Sequence, residues 1–431
     1  MSVDIRPRAK AACPHDCPSA CALEVEQAAP DRIGRVYGRR DHPYTAGVIC
    51  EKVARYAERV HHPDRLRTPL LRVGAKGDPD GFIPIGWDEA LDHVADGLRA
   101  AEDAHGREAV WPYYYAGTMG LVQRDGINRL RHVMRWSGQH RTICSSLSNA
   151  GWAAGAGSQR GADAREMAQS DLILVWGCNA ATTQLHVLTH ANKARKARCA
   201  KIVCVDPYRN RTAASADWHI PLKPGTDGAL ACGVMAALFE NGGADRGFMA
   251  RFTDDPAGLE AHLRHRSPDW ASAICGVPAA DIRALADLMK QRPRCFLRIG
   301  YGLTRSRNGA AQMHAVASIA AVAGSWAHAG GGALYSQSGV FGVDKTLIEG
   351  ADRRDRSVRV LDMSRIGPIL CGDPADLGDG PPVKALFIQN TNPMVVAPES
   401  LKVRDGFARD DLFVCVHEQF MTETAAMADV V

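Results

Sequence analysis

Four apolar runs of strand length divide the chain: "DLILVWGCN", "AKIVCVDPYRN", "RCFLRIGYG" and "ALFIQNTNP". Each ends in a turn rich in Gly, Asn or Asp that leads toward a stretch of helical periodicity. The spacing predicts helices over 184–197, 228–240 and 308–323. An earlier unit follows the same plan, with a helix starting near Asp88 followed by the strand-like "EAVWPYYYAG". Strands alternating with helices point to parallel sheets covered on both faces, so the fold class is α/β. Polar stretches near 61–81, 350–356 and 372–382 read as loops or domain crossings.

Composition narrows the class. A length of 431 residues is too great for one small core, and 46% hydrophobic with 23% charged residues is ordinary for a globular protein. A net charge of +4 with both signs interspersed gives no reason to expect nucleic acid as a partner. No apolar run reaches the length of a membrane helix, so no direct membrane span is expected. The opening "MSVDIRPRAKAAC" has no apolar segment behind its basic residues, and the expectation is a cytoplasmic protein. In that compartment the 13 cysteines would be thiols, metal ligands or catalytic groups and not disulfides.

Three of those cysteines crowd into "CPHDCPSAC", and Cys50 follows at a distance. The positions i, i+4 and i+8 would share one helix face, but Pro18 opposes a helix there. A loop punctuated by prolines instead curls Cys13, Cys17 and Cys21 around one centre. Three local thiols and one distant thiol suit a [4Fe-4S] cube; a zinc site or unligated thiols are the alternatives. Lys52 is either a solvated charge or a hydrogen-bond donor toward a second redox centre.

The turn at Gly177 lacks the G-x-G-x-x-G fingerprint, which weakens a NAD or FAD reading. Asp206 closes the next strand where an acidic residue would meet a ribose hydroxyl. "PLKPGTDGALA" places Thr226 and Asp227 at the cap of the following helix. Each turn alone could be no more than a capped helix, yet three at successive strand ends suggest one extended ligand.

In this order and spacing the motifs resemble the molybdopterin oxidoreductases of the dimethyl sulfoxide reductase type. The carriers are the cysteine cluster with "CEK", "GWDEAL", "WGCNAATT", "VDPYRNRTAASADWHIPLKPGTDGALA", "QNTNPM" and "ETAAMADVV". The resemblance implies a small N-terminal [4Fe-4S] module and two doubly wound α/β domains. It places the cluster domain at 1–61, a discontinuous pterin-dinucleotide domain at 62–141 plus 338–431, and a second at 142–337. The family's C-terminal β-rich domain has no counterpart in this sequence, so the chain reads as a fragment or as completed by another polypeptide.

The implied cofactors are a [4Fe-4S] cluster and molybdenum (or tungsten) bis(molybdopterin guanine dinucleotide). Residue by residue, Cys13, Cys17, Cys21 and Cys50 would hold the cluster, with Lys52 bridging cluster and pterin. Trp176, Gly177 and Asn179 would lie beside one dinucleotide, and Asp206, Gly225, Thr226 and Asp227 would line its guanosine end. Asn390, Asn392 and Pro393 would contact the other dinucleotide. Cys144, in "RTICSSLSNAGW", stands where the cysteine-ligated branch places its metal ligand; a buried structural Cys, or Ser145, Ser146 or Ser148 as an alkoxide, are the alternatives. The remaining cysteines are expected in packing roles. His140, His186 and His190 are candidates for proton handling by type.

The implied function is two-electron oxo or hydride transfer on a small-molecule substrate, with a redox partner protein or subunit. The alternatives are an iron–sulfur electron-transfer subunit or a non-catalytic fragment of such an enzyme. Formate dehydrogenases of the family carry a His after the metal ligand, where Ser145 stands here.

Overall fold

A computed structural model describes residues 7–431; residues 1–6, the start of the segment read as lacking a leader, lie outside the described residues. At the N-terminus β1 (Arg8–Ala12), β2 (Ala22–Ala29) and β3 (Arg32–Gly38) form an antiparallel sheet in that order. The cysteine loop 13–21 joins β1 to β2 without a helix, in keeping with Pro18. Cys50 caps the start of the short helix Glu51–Ala54, whose Val53 is fully buried beneath the loop beside Leu23 and Val36.

The stretch near 61–81, expected as loop, contributes a strand. β4 (Leu70–Arg72) pairs antiparallel with β5 (Phe82–Pro84), three residues each, too short for any periodic signal. The helix Trp87–His105 leads to β6 (Val110–Tyr114), and β7 (Gly138–His140) follows. A five-stranded parallel sheet is built from β8 (Leu172–Trp176), β9 (Lys201–Val205), β10 (Trp218–Ile220), β11 (Cys295–Ile299) and β12 (Gly332–Leu334), in the order β10-β9-β8-β11-β12. β13 (Val360–Asp362) pairs with β7. β14 (Ala385–Gln389) lies between β15 (Phe413–His417) and β6, all parallel.

The continuous apolar runs are explained by burial on both faces. Along β8, Leu172, Leu174 and Trp176 enter one core, with the helices Asp227–Glu240 and Gly309–Val322. The alternate residues Ile173 and Val175 enter a second core against the helix Leu185–Arg198. A strand that satisfies two cores has no polar face to display. The chain winds outward from β8 to β10, then crosses back to β11 on the other side of β8. That reversal makes the carboxyl ends of β8 and β11 a topological switch point, where open α/β sheets bind ligands.

No helix among the described residues is long and apolar enough to cross a membrane.

Candidate functional site

The cysteine loop is folded by its own backbone. The Cys13 amide donates to the Cys21 carbonyl at 2.9 Å, and the Cys17 amide to the His15 carbonyl at 2.9 Å. Cys13, Cys21 and Cys50 share a small apolar core, and the field of Cys21 includes Cys13, Cys17 and Cys50 together. All four are unbridged. Among the described residues no group of three or more donors converges on a single-ion site, whereas one zinc would draw its sulfurs to about 2.3 Å from a common point. Three thiols from one loop and a fourth at a helix start suit a polynuclear cluster, which takes one thiolate on each metal. Burial pushes the Cys21 thiol up to about 12, so a bound cation is what would keep it ionised.

This seat is fastened to the turn after β8. Cys17 Sγ lies 2.9 Å from the Thr183 carbonyl, and Lys52 Nζ donates to the Thr182 carbonyl at 2.8 Å. His186 Nε2 donates to the Val48 carbonyl at 3.1 Å while its Nδ1 faces Cys21 Sγ at 3.9 Å. His186 thus serves the seat, and His190 stacks on Tyr44 with both ring nitrogens buried and unpartnered. Burial holds His190 down at about 4, which leaves it neutral and unsuited to shuttling protons near pH 7.

At the switch point, backbone meets backbone. Gly177 has φ +58°, and its carbonyl accepts from the Gly302 amide at 2.9 Å. A Cβ on Gly300 would stand 2.2 Å from that carbonyl oxygen, so only glycine permits the approach. Trp176 Nε1 donates to Asp227 at 2.7 Å, and Asn179 accepts from Thr212 at 3.0 Å. Burial pushes Asp227 up to about 6 against that indole bond, and burial likewise raises Asp206, whose backbone carbonyl accepts from His219.

The expected cap at Thr226 takes another form: its hydroxyl donates back to the Lys223 carbonyl at 2.6 Å, and the helix start lacks a side-chain cap. The Asp227 amide is satisfied by Gln312 at 2.7 Å instead. Gly225, with φ +81°, turns the chain, and its carbonyl accepts from Asn308.

Cys144 is half-buried just before the helix Ser146–Ala156. Arg305 donates to its carbonyl at 2.7 Å and reaches within 3.9 Å of its sulfur. Tyr115, which follows β6, lies close enough to Cys144 for the two side chains to feel each other's charge. The rival serines are committed elsewhere. Ser148 is fully buried against Thr304 at 2.7 Å, Ser146 donates to the Arg141 carbonyl, and Ser145 accepts from Asn149. Gly151 lets this helix press on the helix Gly309–Val322, where a Cβ would lie 2.1 Å from the Ala310 carbonyl.

Asn390, Asn392 and Pro393 occupy the carboxyl end of β14. Asn390 has φ +59° and donates to the Gln123 carbonyl at 3.1 Å. Asn392 binds Glu423 and Thr424, and Pro393 opens a one-turn helix. A cavity of about 590 Å³ separates this edge from the cluster module, with Tyr56, Arg59, Gln123, Asn390 and His417 in its wall.

In the sequence the segment 300–312 reads only as a strand end and a helix start and not as part of the site, yet it joins the parts. It touches Gly177 through Gly302, Cys144 through Arg305, Gly225 through Asn308 and Asp227 through Gln312. The "GYG" after β11 was its one local sign. Tyr115 was missed too, because nothing in the sequence near it signals chemistry. Packing roles hold for Cys178, Cys204, Cys275, Cys295 and Cys415, which are buried; Cys199 and Cys371 are exposed and do not pack.

Comparison with known proteins bears on these parts together. The family model described as "Molybdopterin oxidoreductase" matches residues 65–431, and "Molybdopterin oxidoreductase Fe4S4 domain" matches residues 7–62. The chain is 40% identical over 424 residues to "Probable oxidoreductase YoaE" of Bacillus subtilis, covering 98% of this chain and 61% of that protein. It is 27% identical over 359 residues to "Dimethyl sulfoxide reductase DmsA" of Haemophilus influenzae, covering 73% of this chain and 43% of that one. The solved structure of acetylene hydratase from Pelobacter acetylenicus superposes with a TM-score of 0.75 at 20% identity, over 98% of this chain and 62% of that one. That likeness is one of fold.

Proposed function

The chain belongs to the molybdopterin oxidoreductase family, and from that premise we propose that it forms the core of a two-electron oxidoreductase acting on a small substrate. Cys13, Cys17, Cys21 and Cys50 would hold a [4Fe-4S] cluster, and Cys144 would ligate molybdenum or tungsten. Trp176, Gly177, Asn179, Asp206, Gly225, Thr226 and Asp227 would receive one pterin guanine dinucleotide, and Asn390, Asn392 and Pro393 the other. When bound, the metal–pterin group supplies oxo- or hydride-transfer chemistry and the cluster supplies one-electron relay to a redox partner.

The protein's share is placement and field. The observation that carries the reading is the double anchorage of Lys52 and Cys17 on the carbonyls of Thr182 and Thr183. It sets the thiol seat directly on the turn that follows Trp176 and Gly177. Arg305 places a guanidinium 3.9 Å from the Cys144 sulfur. Tyr115, which follows β6 of the other parallel sheet, stands near the same side chain.

We assign 62–141 with 338–431 to one α/β domain and 142–337 to the other, supported by the pairing of β14 with β6. The chain spans about three-fifths of the length of the first relatives it matches, and the activity proposed here is that of the assembled enzyme. Relatives are named for dimethyl sulfoxide and for formate, and Ser145 in place of a His weighs against formate, leaving sulfoxides, nitrate and other oxyanions as the substrates to screen.

Metal analysis of anaerobically purified protein is expected to give about four irons and one molybdenum or tungsten per chain. Iron alone would replace this reading with an electron-transfer subunit. Cys144→Ser should keep the paramagnetic signal of the cluster and lose most turnover in a screen of sulfoxides, nitrate and formate with an artificial electron carrier. Unchanged turnover rejects Cys144 as the ligand.

A further inference from the structure

Arg298 lies near the middle of β11 with only 1% of its surface exposed. Its guanidinium donates to Gln184 Oε1 from Nε at 2.8 Å, and again from the second terminal nitrogen. The other terminal nitrogen serves the carbonyls of Ile299 (2.6 Å), Leu334 (2.8 Å) and Tyr335 (2.9 Å). Every acceptor is neutral. Among the described residues no carboxylate pairs with it, although other buried or half-buried arginines do pair: Arg124 with Asp125, Arg72 with Asp429. A guanidinium does not shed its proton in a protein, so a full positive charge is buried here without a counter-ion.

Its neighbours show which way that charge looks. Gln184 directly follows Thr183, whose carbonyl faces Cys17, and Thr182, which receives Lys52. The side chain shares the face of Ile173 and Val175, toward the helix Leu185–Arg198 that carries His186 to Cys21. Its positive field also reaches Tyr44, which is raised to about 12 by burial, and that same Tyr44 feels Cys17 and Cys21. In the other direction Tyr335 packs edge-on against Tyr301, whose surroundings include Cys144.

We propose that Arg298 is the buried cation whose missing counter-charge is the anionic iron–sulfur cluster, and that it raises the cluster's reduction potential; this rests on the cluster seat proposed above. Reduction adds one electron to the cluster and its thiolates and so increases their negative charge, while Arg298 remains protonated and no proton moves. A fixed cation in a region of low dielectric favours the more negative state. Gln184 orients the guanidinium and leaves its charge uncancelled. Arg298 is therefore a positioning and charge-setting residue and touches no substrate.

The test is a mediated dithionite titration of the anaerobically purified holoprotein, read by the cluster's paramagnetic signal. Arg298→Met should lower the midpoint by at least a tenfold change in the reduced-to-oxidised ratio, about 59 mV for one electron. Arg298→Lys keeps the charge and should stay near wild type. Gln184→Glu is nearly isosteric, keeps the hydrogen bonds and supplies the absent carboxylate, so it should lower the midpoint as Arg298→Met does. An unchanged midpoint in Gln184→Glu with the cluster present overturns the proposal, and this variant decides the matter if Arg298→Met does not fold. Equal falls in Arg298→Lys and Arg298→Met would make the role structural and overturn it too. A wild-type protein that takes up no cluster overturns the underlying reading, a result distinct from a cluster whose potential ignores residue 298.

Discussion

Asp227 carries the clearest titration signature among the proposed ligand contacts. Burial lifts its carboxyl from 3.8 to about 6, even with the Trp176 indole bonded to it. A raised carboxyl binds more protons in the folded than in the unfolded chain between about pH 4 and 6. The stability it contributes is therefore complete below about pH 4 and is lost as pH rises through 6. The shift corresponds to about 3 kcal/mol. Asn at this position cannot ionise. Cofactor-free Asp227→Asn should gain about that much stability relative to wild type between pH 4 and 7, read from urea midpoints. Parallel pH curves for the two proteins would reject the burial argument. The carboxyl is held at this cost where guanine-type N–H donors could pair with it, so the same substitution should weaken guanine nucleotide binding.

Among the elements, the ends of β8 and β11 are the least tolerant of change. The Gly177 carbonyl is closed in by Gly300 and Gly302, and a Cβ on Gly300 would lie 2.2 Å from it. Backbone cannot retreat as a flexible side chain can, so overpacking here belongs at the upper end of its range. Gly300→Ala should destabilise the protein by about 2–3 kcal/mol in chemical denaturation. An effect within about 0.5 kcal/mol, the usual size for an unconstrained surface site, would show that the two turns are free to part. The helix Ser146–Ala156 depends on Gly151 in the same way, which ties the Cys144 loop to the packing of the helix behind it.

At the scale of the molecule, the cluster module and the five-stranded sheet meet through few but specific bonds. Lys52 and Cys17 reach Thr182 and Thr183, and His186 reaches back to Val48. A group bound by the four thiols orders one side of that junction and, through those bonds, the other. Loading the cluster should slow amide exchange at least about tenfold both in 44–50 and in 179–186. Lys52→Met should reduce the effect in 179–186 while leaving it in 44–50. Protection confined to the cysteine loop would mean that the two parts are not coupled.

The sequence by itself determined five of the parallel strands, four of the helices that cover them and the non-helical cysteine loop. Those features are local: an apolar run long enough for burial on two faces, a helical period, and thiols whose spacing Pro18 forbids to be a helix. It also marked Gly177, Asp227 and Asn390, because a turn at a strand end needs particular residue types within a few positions. Tertiary structure alone decided the rest. Residues 300–312, Tyr115 and the pair Arg298–Gln184 are joined to the site across separations of up to 161 positions, as for Cys144 and Arg305, and no local pattern announces them. Thr226 stands at the cap position as read, but its hydroxyl makes no capping bond, since the Asp227 amide found Gln312, 85 residues away. Local chemistry fixes what each segment can become; only the winding of β8 to β11 brings those segments within bonding distance.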